Sequence, residues 1–218
     1  MSTGQDNWIG SDESGKGDYF GPLVVAAVHV DKSSALTLAE AGVRDSKTVS
    51  DDRTARLADM IMAERPHSMV VIGPERYNEL YAKIGNLNRL LAWAHARAIE
   101  DLLLEQDCRR AVVDRFAKGG VLAAALMEKG SALKIEEKVR GESDTAVAAA
   151  SMLARARFVS ELERLSEQCG INLHLGAGEP TLASGRDFIE RHGQEALAGV
   201  AKVHFKTTVT LTGNKVGA

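Results

Sequence analysis

The amino-acid sequence predicts an α/β fold in which helices cover a β-sheet. Short apolar runs rich in β-branched residues alternate with longer segments of helical period, the order expected of an α/β sheet. No linker, internal repeat or low-complexity segment divides the 218 residues. This length suits one α/β domain or two small ones, and we predict a single domain over residues 1–218.

Five short runs predict the strands of this sheet. Residues 23–30 (LVVAAVHV) are apolar at almost every position, which is typical of a strand buried on both faces. Residues 8–11 precede them across a glycine-rich turn and predict a first strand. The other predicted strands are residues 68–72 (SMVVI), 110–114 (RAVVD) and 133–138 (LKIEEK).

Segments of helical period fill the spaces between the strands. Ser50 is expected to cap a helix that Pro66 ends, and Asn88 fits an N-cap where a strongly periodic segment opens at Asn86. The last residues, about 209–218, are expected to be frayed. The predicted helices are residues 51–65, 74–84, 86–107, 123–129, 145–168 and 184–192, with a further turn at 194–200.

Charge and aromatic content limit the class of partner. A net charge of −3 and a pI near 6.1 argue mildly against nucleic-acid binding, which requires clustered basic residues. Aromatics form 5% of the chain, too few for a platform that stacks single-stranded bases. Ten basic residues either form a local patch or are scattered, solvated charges. These are Lys16, Arg44, Lys47, Lys134, Lys138, Arg140, Arg155, Arg157, Lys202 and Lys206.

Cysteine use and hydropathy indicate the compartment. Cys108 and Cys169 lie far apart, and no Cys/His spacing typical of a zinc site occurs, which fits a reducing compartment. The chain opens without a signal peptide, and no apolar run reaches the roughly 18 residues of a membrane span. We therefore expect a cytoplasmic protein without membrane association, and a monomer.

Residues 9–28 (IGSDESGKGDYFGPLVVAAV) are the most informative segment, because two adjacent carboxylates precede a glycine-rich turn. Neighbouring side chains on a strand point to opposite faces, so Asp12 and Glu13 could serve one site only if the backbone bends there. Gly15 and Gly17 supply that freedom, and amides of such a turn can bind phosphate or sugar oxygens. A solvated surface turn is the alternative.

Further acids lie at the ends of predicted elements. Asp114 ends a strand, and Glu142 and Asp144 precede a helix that begins with small residues. Such side chains converge in α/β sheets, and clustered carboxylates repel one another unless cations lie between them. Oxygen ligands without His or Cys select Mg²⁺ or Mn²⁺, and two such ions can support phosphodiester hydrolysis. A turn acid at Asp114 and a helix cap at Asp144 are the alternatives.

These segments closely resemble the type 2 ribonucleases H, and the run GKGDYFGPL resembles their ribonuclease HIII branch. The resemblance covers residues 8–208 and implies the RNase H fold, with a five-stranded mixed sheet, helices on both sides and C-terminal helices. It also implies cleavage of the RNA strand of RNA/DNA hybrids with Mg²⁺ or Mn²⁺, leaving 5′-phosphate and 3′-hydroxyl ends. The other matching motifs are DSK at 45–47, NLNRLLAWAHARAIEDLL from 86, VVDRF at 112–116, AVAAASMLARARF from 146, LGAG from 175 and AKVHF from 201.

The resemblance also implies the catalytic and metal-binding acids. Asp12 would bridge two ions, Glu13 and Asp114 would hold the ion near the leaving oxygen, and Glu142 would hold the ion that carries the attacking water. Residues 140–143 (RGES) match the family's run around the last acid, although the distance to the following AAAS motif is one residue short. Asp144 is the alternative, and we expect it to be an N-cap or an outer acid.

The same resemblance assigns residues to the hybrid. The turn Gly15-Lys16-Gly17 matches the family's contact with 2′-hydroxyls, the groups that distinguish RNA from DNA locally. Trp93 and His95 lie in a predicted helix and are interpreted as packing residues rather than ligands. The residues expected to hold the nucleic-acid backbone are Asp45, Ser46, Lys47 and Ser151.

Two departures from the family pattern concern the substrate. Fewer than ten residues precede the first motif, so we expect this chain to lack the N-terminal TBP-like domain that usually grips the hybrid. No tyrosine follows Tyr81, whereas the ribonuclease HII branch senses a single ribonucleotide with a late tyrosine. The predicted function is a ribonuclease H of the HIII type. The alternatives are an HII-like enzyme that also incises at single ribonucleotides, a non-catalytic hybrid-binding protein, and a Mg²⁺-dependent nuclease without sugar selectivity.

Overall fold

The structure, a computed structural model, describes residues 7–44, 49–116, 120–126 and 130–213. Its strands are β1 (Asn7–Ser14), β2 (Leu23–Asp31), β3 (His67–Ile72), β4 (Arg110–Asp114) and β5 (Lys134–Lys138). Its helices are α1 (Lys32–Glu40), α2 (Asp51–Glu64), α3 (Pro74–Ile84), α4 (Leu87–Leu102), α5 (Val121–Ala125), α6 (Thr145–Cys169), α7 (Glu179–His192) and α8 (Lys206–Thr212). Short 3-10 turns occupy Gly130–Ala132, Gly141–Ser143 and Gln194–Gly199.

The five strands form one sheet in the order β3-β2-β1-β4-β5. β1 pairs with β4, and β4 pairs with β5, in parallel. Buried apolar residues occupy most of β2, as its β-branched composition predicts. The predicted α/β fold, with a five-stranded mixed sheet flanked by helices, is confirmed.

Helix ends account for most of the differences from the prediction. Asn86, not Asn88, caps α4, because its side chain accepts a hydrogen bond from the amide of Arg89 at 3.1 Å. α4 also ends at Leu102, earlier than predicted. Ser50 occupies the N-cap position of α2, although its side chain makes no capping hydrogen bond. α5 begins two positions earlier than predicted, and residues 127–129 lie outside the described part of the chain.

Two helices were not predicted, and a third begins earlier. Asp31 starts α1 through a capping box, in which its carboxylate accepts from the amide of Ser34 and the Ser34 hydroxyl accepts from the amide of Asp31. The prediction that residues 209–218 are frayed is wrong for residues 209–212, which belong to α8. Residues 214–218 lie outside the described part. α7 begins at Glu179 because Pro180 suits the first turn of a helix.

The described chain divides into two compact units. The first takes its described residues from 7–13, 25–70 and 86–156, and the second from 14–24, 71–85 and 157–213. A single catalytic domain over residues 1–218 remains our prediction. No helix in the described ranges combines the length and apolar character that crossing a membrane requires.

Within the first unit, β1 and the start of α6 are in direct contact at Gly10. A Cβ atom on Gly10 would overlap the backbone of Ala146 and Val147. Backbone atoms cannot move aside as a flexible side chain can, so only glycine allows this approach. The contact places the start of α6 against the strand that carries Asp12.

We expect Gly10→Ala to lower the free energy of unfolding by about 1–3 kcal/mol, the usual cost of overpacking a core. Urea denaturation of both proteins would measure the difference. Gly17→Ala is the matched control, because a Cβ built on Gly17 would have no atom of the described residues within 4 Å, and Gly17 has no positive φ angle. Equal stability of the two variants would contradict the close contact at Gly10.

Candidate functional site

β1 and β4 bring two of the predicted acids side by side in the first unit. Ser11 is opposite Val113 in the parallel register, so Asp12 and Asp114 follow next to each other along the paired strands. The amide of Glu13 donates to Oδ1 of Asp12 at 2.8 Å, and Ser151 of α6 donates from its side chain. Asp12, Glu13, Asp114 and Ser151 therefore meet at one place.

The turn that the glycines supply lies after both adjacent acids. β1 continues as a strand through Ser14, and the chain turns only at Gly15, which has a φ of +86°. Asp12 and Glu13 accordingly meet different partners. Asp12 interacts with Asp114 and Ser151, whereas the Glu13 carboxylate contacts a histidine of α4.

The electrostatics of this place disfavour negative charge. Burial and the neighbouring charge of Glu13, with a smaller contribution from Asp114, raise the pKa of Asp12 above its ordinary value. The hydrogen bonds from the Glu13 amide and from Ser151 oppose this shift. A bound cation would relieve the repulsion, so this acid group suits a positively charged ligand.

The 3-10 turn Gly141–Ser143 packs directly against Asp114. The amide of Gly141 donates to Oδ1 of Asp114 at 2.8 Å, and a Cβ on Gly141 would lie 2.8 Å from the Asp114 Cα. Gly141 is therefore a direct neighbour of Asp114. The next residue along the chain is Glu142, which is half-buried. Arg140, just before the turn, has a φ of +57°, which is uncommon for a residue with a side chain.

The carboxylate of Asp144 is engaged by protein groups. Its Oδ1 accepts from Trp8 Nε1 at 2.8 Å and from the amide of Ala146 at 3.1 Å, the geometry of a helix cap. Its Oδ2 lies 3.4 Å from Nζ of Lys138, and only 7% of the side chain is exposed. Among the described residues, no three His, Cys, Asp or Glu side chains already form a ligand group for a metal ion.

His95 of α4 is a site residue that the sequence interpretation missed. Its Nε2 lies 3.1 Å from Oε2 of Glu13, and its Nδ1 lies 2.7 Å from Oγ of Ser11. His95 is fully buried, as its interpretation as a core or packing residue requires, but this interpretation did not include the contact with Glu13; Trp93 is 43% exposed rather than buried. Helical period correctly places His95 on a buried face, but His95 and Glu13 are 82 positions apart, and no local pattern connects them.

In the second unit, the glycine turn has one crowded and one open glycine. A Cβ on Gly15 would overlap the carbonyl oxygen of Pro22 and lie 2.8 Å from a ring carbon of Phe158. Gly15 is therefore required by the fold as well as by its left-handed backbone. Gly17 is exposed, and a side chain there would meet no atom of the described residues within 4 Å. The described part of the fold does not require glycine at this position.

Three of the sequence motifs that resemble the family contact one another next to this turn, within the second unit. The Asp18 carboxylate accepts from the amide of Gly176 at 2.7 Å, and the amide of Tyr19 donates to the carbonyl of Gly176 at 2.9 Å. Phe20 forms an antiparallel bridge with Ala201. The DYFGP, LGAG and AKVHF motifs therefore hold one another in place.

Lys202 lies at the centre of this arrangement and is fully buried. Its Nζ donates to the carbonyl oxygens of Asp18 at 2.9 Å, Phe20 at 3.3 Å and Gly21 at 2.7 Å. It also lies 5.7 Å from the ring centre of Tyr77, a cation–π distance. The suggestion that Lys202 belongs to a basic surface patch is wrong, because its side chain is buried and hydrogen-bonded to backbone carbonyl oxygens of the turn.

Lys202 should make the free energy of unfolding depend on pH in the alkaline range. Burial lowers the pKa of Lys202 to about 7, and the charge of Asp18 opposes this shift. The unfolded chain then binds more protons between pH 7 and the ordinary lysine pKa, so stability rises with pH there. We expect the free energy of unfolding, relative to Lys202→Met, to rise by up to about 1.4 kcal/mol per pH unit.

Urea denaturation at pH 7, 8 and 9 would measure this slope. The exposed neighbour Lys206 supplies the control variant Lys206→Met, and the nearby His204 is common to all three proteins. A difference between wild type and Lys202→Met that stays constant with pH would contradict the prediction. It would mean that the three carbonyl oxygens keep the ammonium group charged throughout.

Several other basic residues of the suggested patch form ion pairs with acids. Lys138 pairs with Asp144, and Arg155 pairs with Asp51 at 3.1 Å. Asp45, Ser46 and Lys47, expected to hold the nucleic-acid backbone, lie outside the described residues. The further pairs are Lys134 with Glu136 and Arg157 with Glu161.

Comparison with known proteins identifies the family. The family described as Ribonuclease HII matches residues 9–208. The ribonuclease HIII of Protochlamydia amoebophila is 43% identical over 209 residues, which cover 96% of this chain and 69% of that protein. The ribonuclease HIII of Chlamydia pneumoniae is 44% identical over 202 residues, which cover 91% of this chain and 68% of that protein.

A solved structure supports the same assignment. The crystal structure of Bst-RNase HIII in complex with Mn²⁺ matches with a TM-score of 0.86 and 32% sequence identity. The match covers 98% of this chain and 72% of that one. The match extends over almost the whole chain, including both units. The chain therefore belongs to the ribonuclease HII family, and its relatives there are ribonuclease HIII enzymes.

Proposed function

We propose that this ribonuclease H hydrolyses the RNA strand of RNA/DNA hybrids and leaves 5′-phosphate and 3′-hydroxyl ends. The observation that carries the proposal is the meeting of Asp12, Glu13 and Asp114 at paired strand ends, where burial and repulsion disfavour negative charge. Carboxylates in such a place fit divalent cations, which balance the charge of both the acids and a substrate phosphate.

The donor atoms are consistent with Mg²⁺ or Mn²⁺. We assign Asp12, Glu13, Asp114 and Glu142 as the catalytic acids that would hold two such ions, and all of them offer only oxygen. When bound, the ions would supply activation of the attacking water and stabilisation of the leaving oxygen. The Mn²⁺ complex of Bst-RNase HIII supports this choice of metal.

The choice of Glu142 over Asp144 as the fourth acid rests on their contacts. Asp144 is held by Trp8, Lys138 and the amide of Ala146, so its carboxylate oxygens already have protein partners. Glu142 follows the glycine that packs on Asp114. We therefore assign Glu142 to the metal site and Asp144 to the cap of α6.

The substrate residues remain those that the family resemblance implies. Gly17 supports this assignment, because the described residues leave open space where its side chain would be and do not themselves require a glycine. A close approach of the sugar edge of the RNA strand would require one. We assign Gly15, Lys16 and Gly17 to the 2′-hydroxyl contact.

Ser151 has a double role in this proposal, since it also donates to Asp12. Asp45, Ser46 and Lys47 complete the set of residues assigned to the backbone.

The decisive experiment uses four labelled duplexes of about one to three turns with Mg²⁺ or Mn²⁺: RNA/DNA, DNA/DNA, RNA/RNA, and DNA with one ribonucleotide. We expect cleavage of RNA/DNA alone, because only the hybrid presents a run of 2′-hydroxyls beside a DNA strand. The product ends are identified by phosphatase sensitivity. Efficient incision at the single ribonucleotide would favour the HII-like activity, and cleavage of DNA/DNA would favour a nuclease without sugar selectivity. Binding of the hybrid without turnover would contradict the proposal.

A further inference from the structure

We propose that His95 is a positioning residue that fixes the carboxylate of Glu13 in the active site. This inference rests on the proposed assignment of Glu13 as a metal ligand. The His95 side chain is fully buried and the Glu13 side chain is 4% exposed, so the contact between Nε2 and Oε2 at 3.1 Å is shielded from water. A carboxylate can only accept, so Nε2 carries the hydrogen of this bond when Glu13 is ionised.

The other side of the imidazole ring is anchored to the sheet. Nδ1 of His95 lies 2.7 Å from Oγ of Ser11, and that hydroxyl donates to the carbonyl oxygen of Ala26 at 2.8 Å. Ser11 belongs to β1 and Ala26 to β2. A chain of close polar contacts therefore leads from the backbone of β2 through Ser11 and His95 to the Glu13 carboxylate.

The plane of the ring is also restrained. The ring of Phe116 stacks on His95 with a centroid distance of 4.9 Å and an angle of 5° between the planes. Phe116 follows β4, the strand that ends at Asp114, and Glu13 lies near the end of β1. Residues at the ends of both strands therefore contact the same imidazole. Burial of a polar ring is costly unless its nitrogen atoms have partners, and both nitrogen atoms have one here.

The contact with Glu13 gives His95 a role beyond packing. A glutamate side chain has three rotatable bonds, and orienting it for a metal ion costs conformational free energy. Hydrogen bonds from residues behind a ligand hold it in the productive orientation before the ion arrives. We infer that His95 does this for Glu13 without touching the substrate.

Two amide variants separate the two hydrogen bonds of His95. The amide nitrogen of glutamine is as many bonds from Cα as Nε2, and that of asparagine as many as Nδ1. His95→Gln can therefore still donate to Glu13, while His95→Asn can reach only Ser11. Mn²⁺ binding by calorimetry in the absence of substrate, and kcat and KM on the RNA/DNA hybrid, are measured for both variants.

We expect His95→Asn to weaken Mn²⁺ binding and to lower kcat by about 10-fold to 100-fold, the usual effect of losing a partner of a metal ligand. KM for the hybrid should stay unchanged, and His95→Gln should restore most of both losses. Equal Mn²⁺ affinity and equal kcat in the two variants, or a larger loss in His95→Gln, would overturn the inference.

Two further variants keep the test decisive. If His95→Asn does not fold, Ser11→Ala removes the anchor of the ring and should itself weaken Mn²⁺ binding with KM unchanged. Wild-type affinity in Ser11→Ala would then overturn the inference. Glu13→Ala tests the premise separately, because wild-type Mn²⁺ affinity in this variant would remove Glu13 from the proposed ligand set, and the inference with it.

Discussion

Replacing Asp114 with asparagine is expected to abolish turnover of the RNA/DNA hybrid while leaving hybrid binding detectable. Asparagine keeps an oxygen that can accept the hydrogen bond from the amide of Gly141, so the turn that carries Glu142 should stay in place. Only the negative charge is lost. A metal ion supplies several kcal/mol of transition-state stabilisation, so its displacement corresponds to a loss in kcat of about a thousandfold or more.

Single-turnover kinetics and a filter-binding assay would measure the two effects separately. Asp59→Asn serves as the control, because Asp59 is an exposed acid on α2 and the same change of charge there should be silent. Near-normal turnover in Asp114→Asn would remove Asp114 from the metal site. Loss of binding together with turnover would instead point to a substrate contact.

The second large effect distinguishes the two acids that precede α6. Glu142→Gln is expected to lower kcat by about a hundredfold or more, since it would remove charge from a metal ligand. Asp144→Asn should change kcat little, because an amide oxygen can still accept from Trp8 and Ala146. Loss of the ion pair with Lys138 and of the cap charge should instead lower stability, by about 1 kcal/mol.

Both variants are compared by kcat on the hybrid and by urea denaturation. The two measurements should rank the variants in opposite orders. If Asp144→Asn loses more turnover than Glu142→Gln, Asp144 is the fourth ligand and the cap contacts are secondary. Such a result would leave Asp12 and Asp114 unaffected, because their adjacency follows from the parallel register of β1 and β4.

Local signals predicted the fold class and the adjacency of Asp12 and Asp114 on neighbouring strands. β2, β4 and α6 follow from period and composition alone, because burial on both faces of a strand and on one face of a helix leaves a repeating apolar pattern. Acids at the ends of predicted strands converge in any α/β sheet, so Asp12 and Asp114 were identified before their register was known.

Helix boundaries were less predictable. Asn86 and Asn88 carry the same capping group, and the position that the chain uses depends on which backbone amide is left without a partner once α4 packs. α1 is short, and its capping box at Asp31 is its main sequence signal. Local propensity alone therefore leaves such ends uncertain by a few residues.

The sequence by itself determined the class of fold and the order of the motifs. Only the tertiary structure decided which buried polar group meets which partner. His95 and Lys202 both appear in the sequence as polar residues in helical or irregular segments, yet one contacts Glu13 and the other holds three carbonyl oxygens. The physical reason is that a periodic pattern records whether a position is buried. The partner of a buried polar group depends instead on elements that are distant along the chain and meet only in the packed molecule.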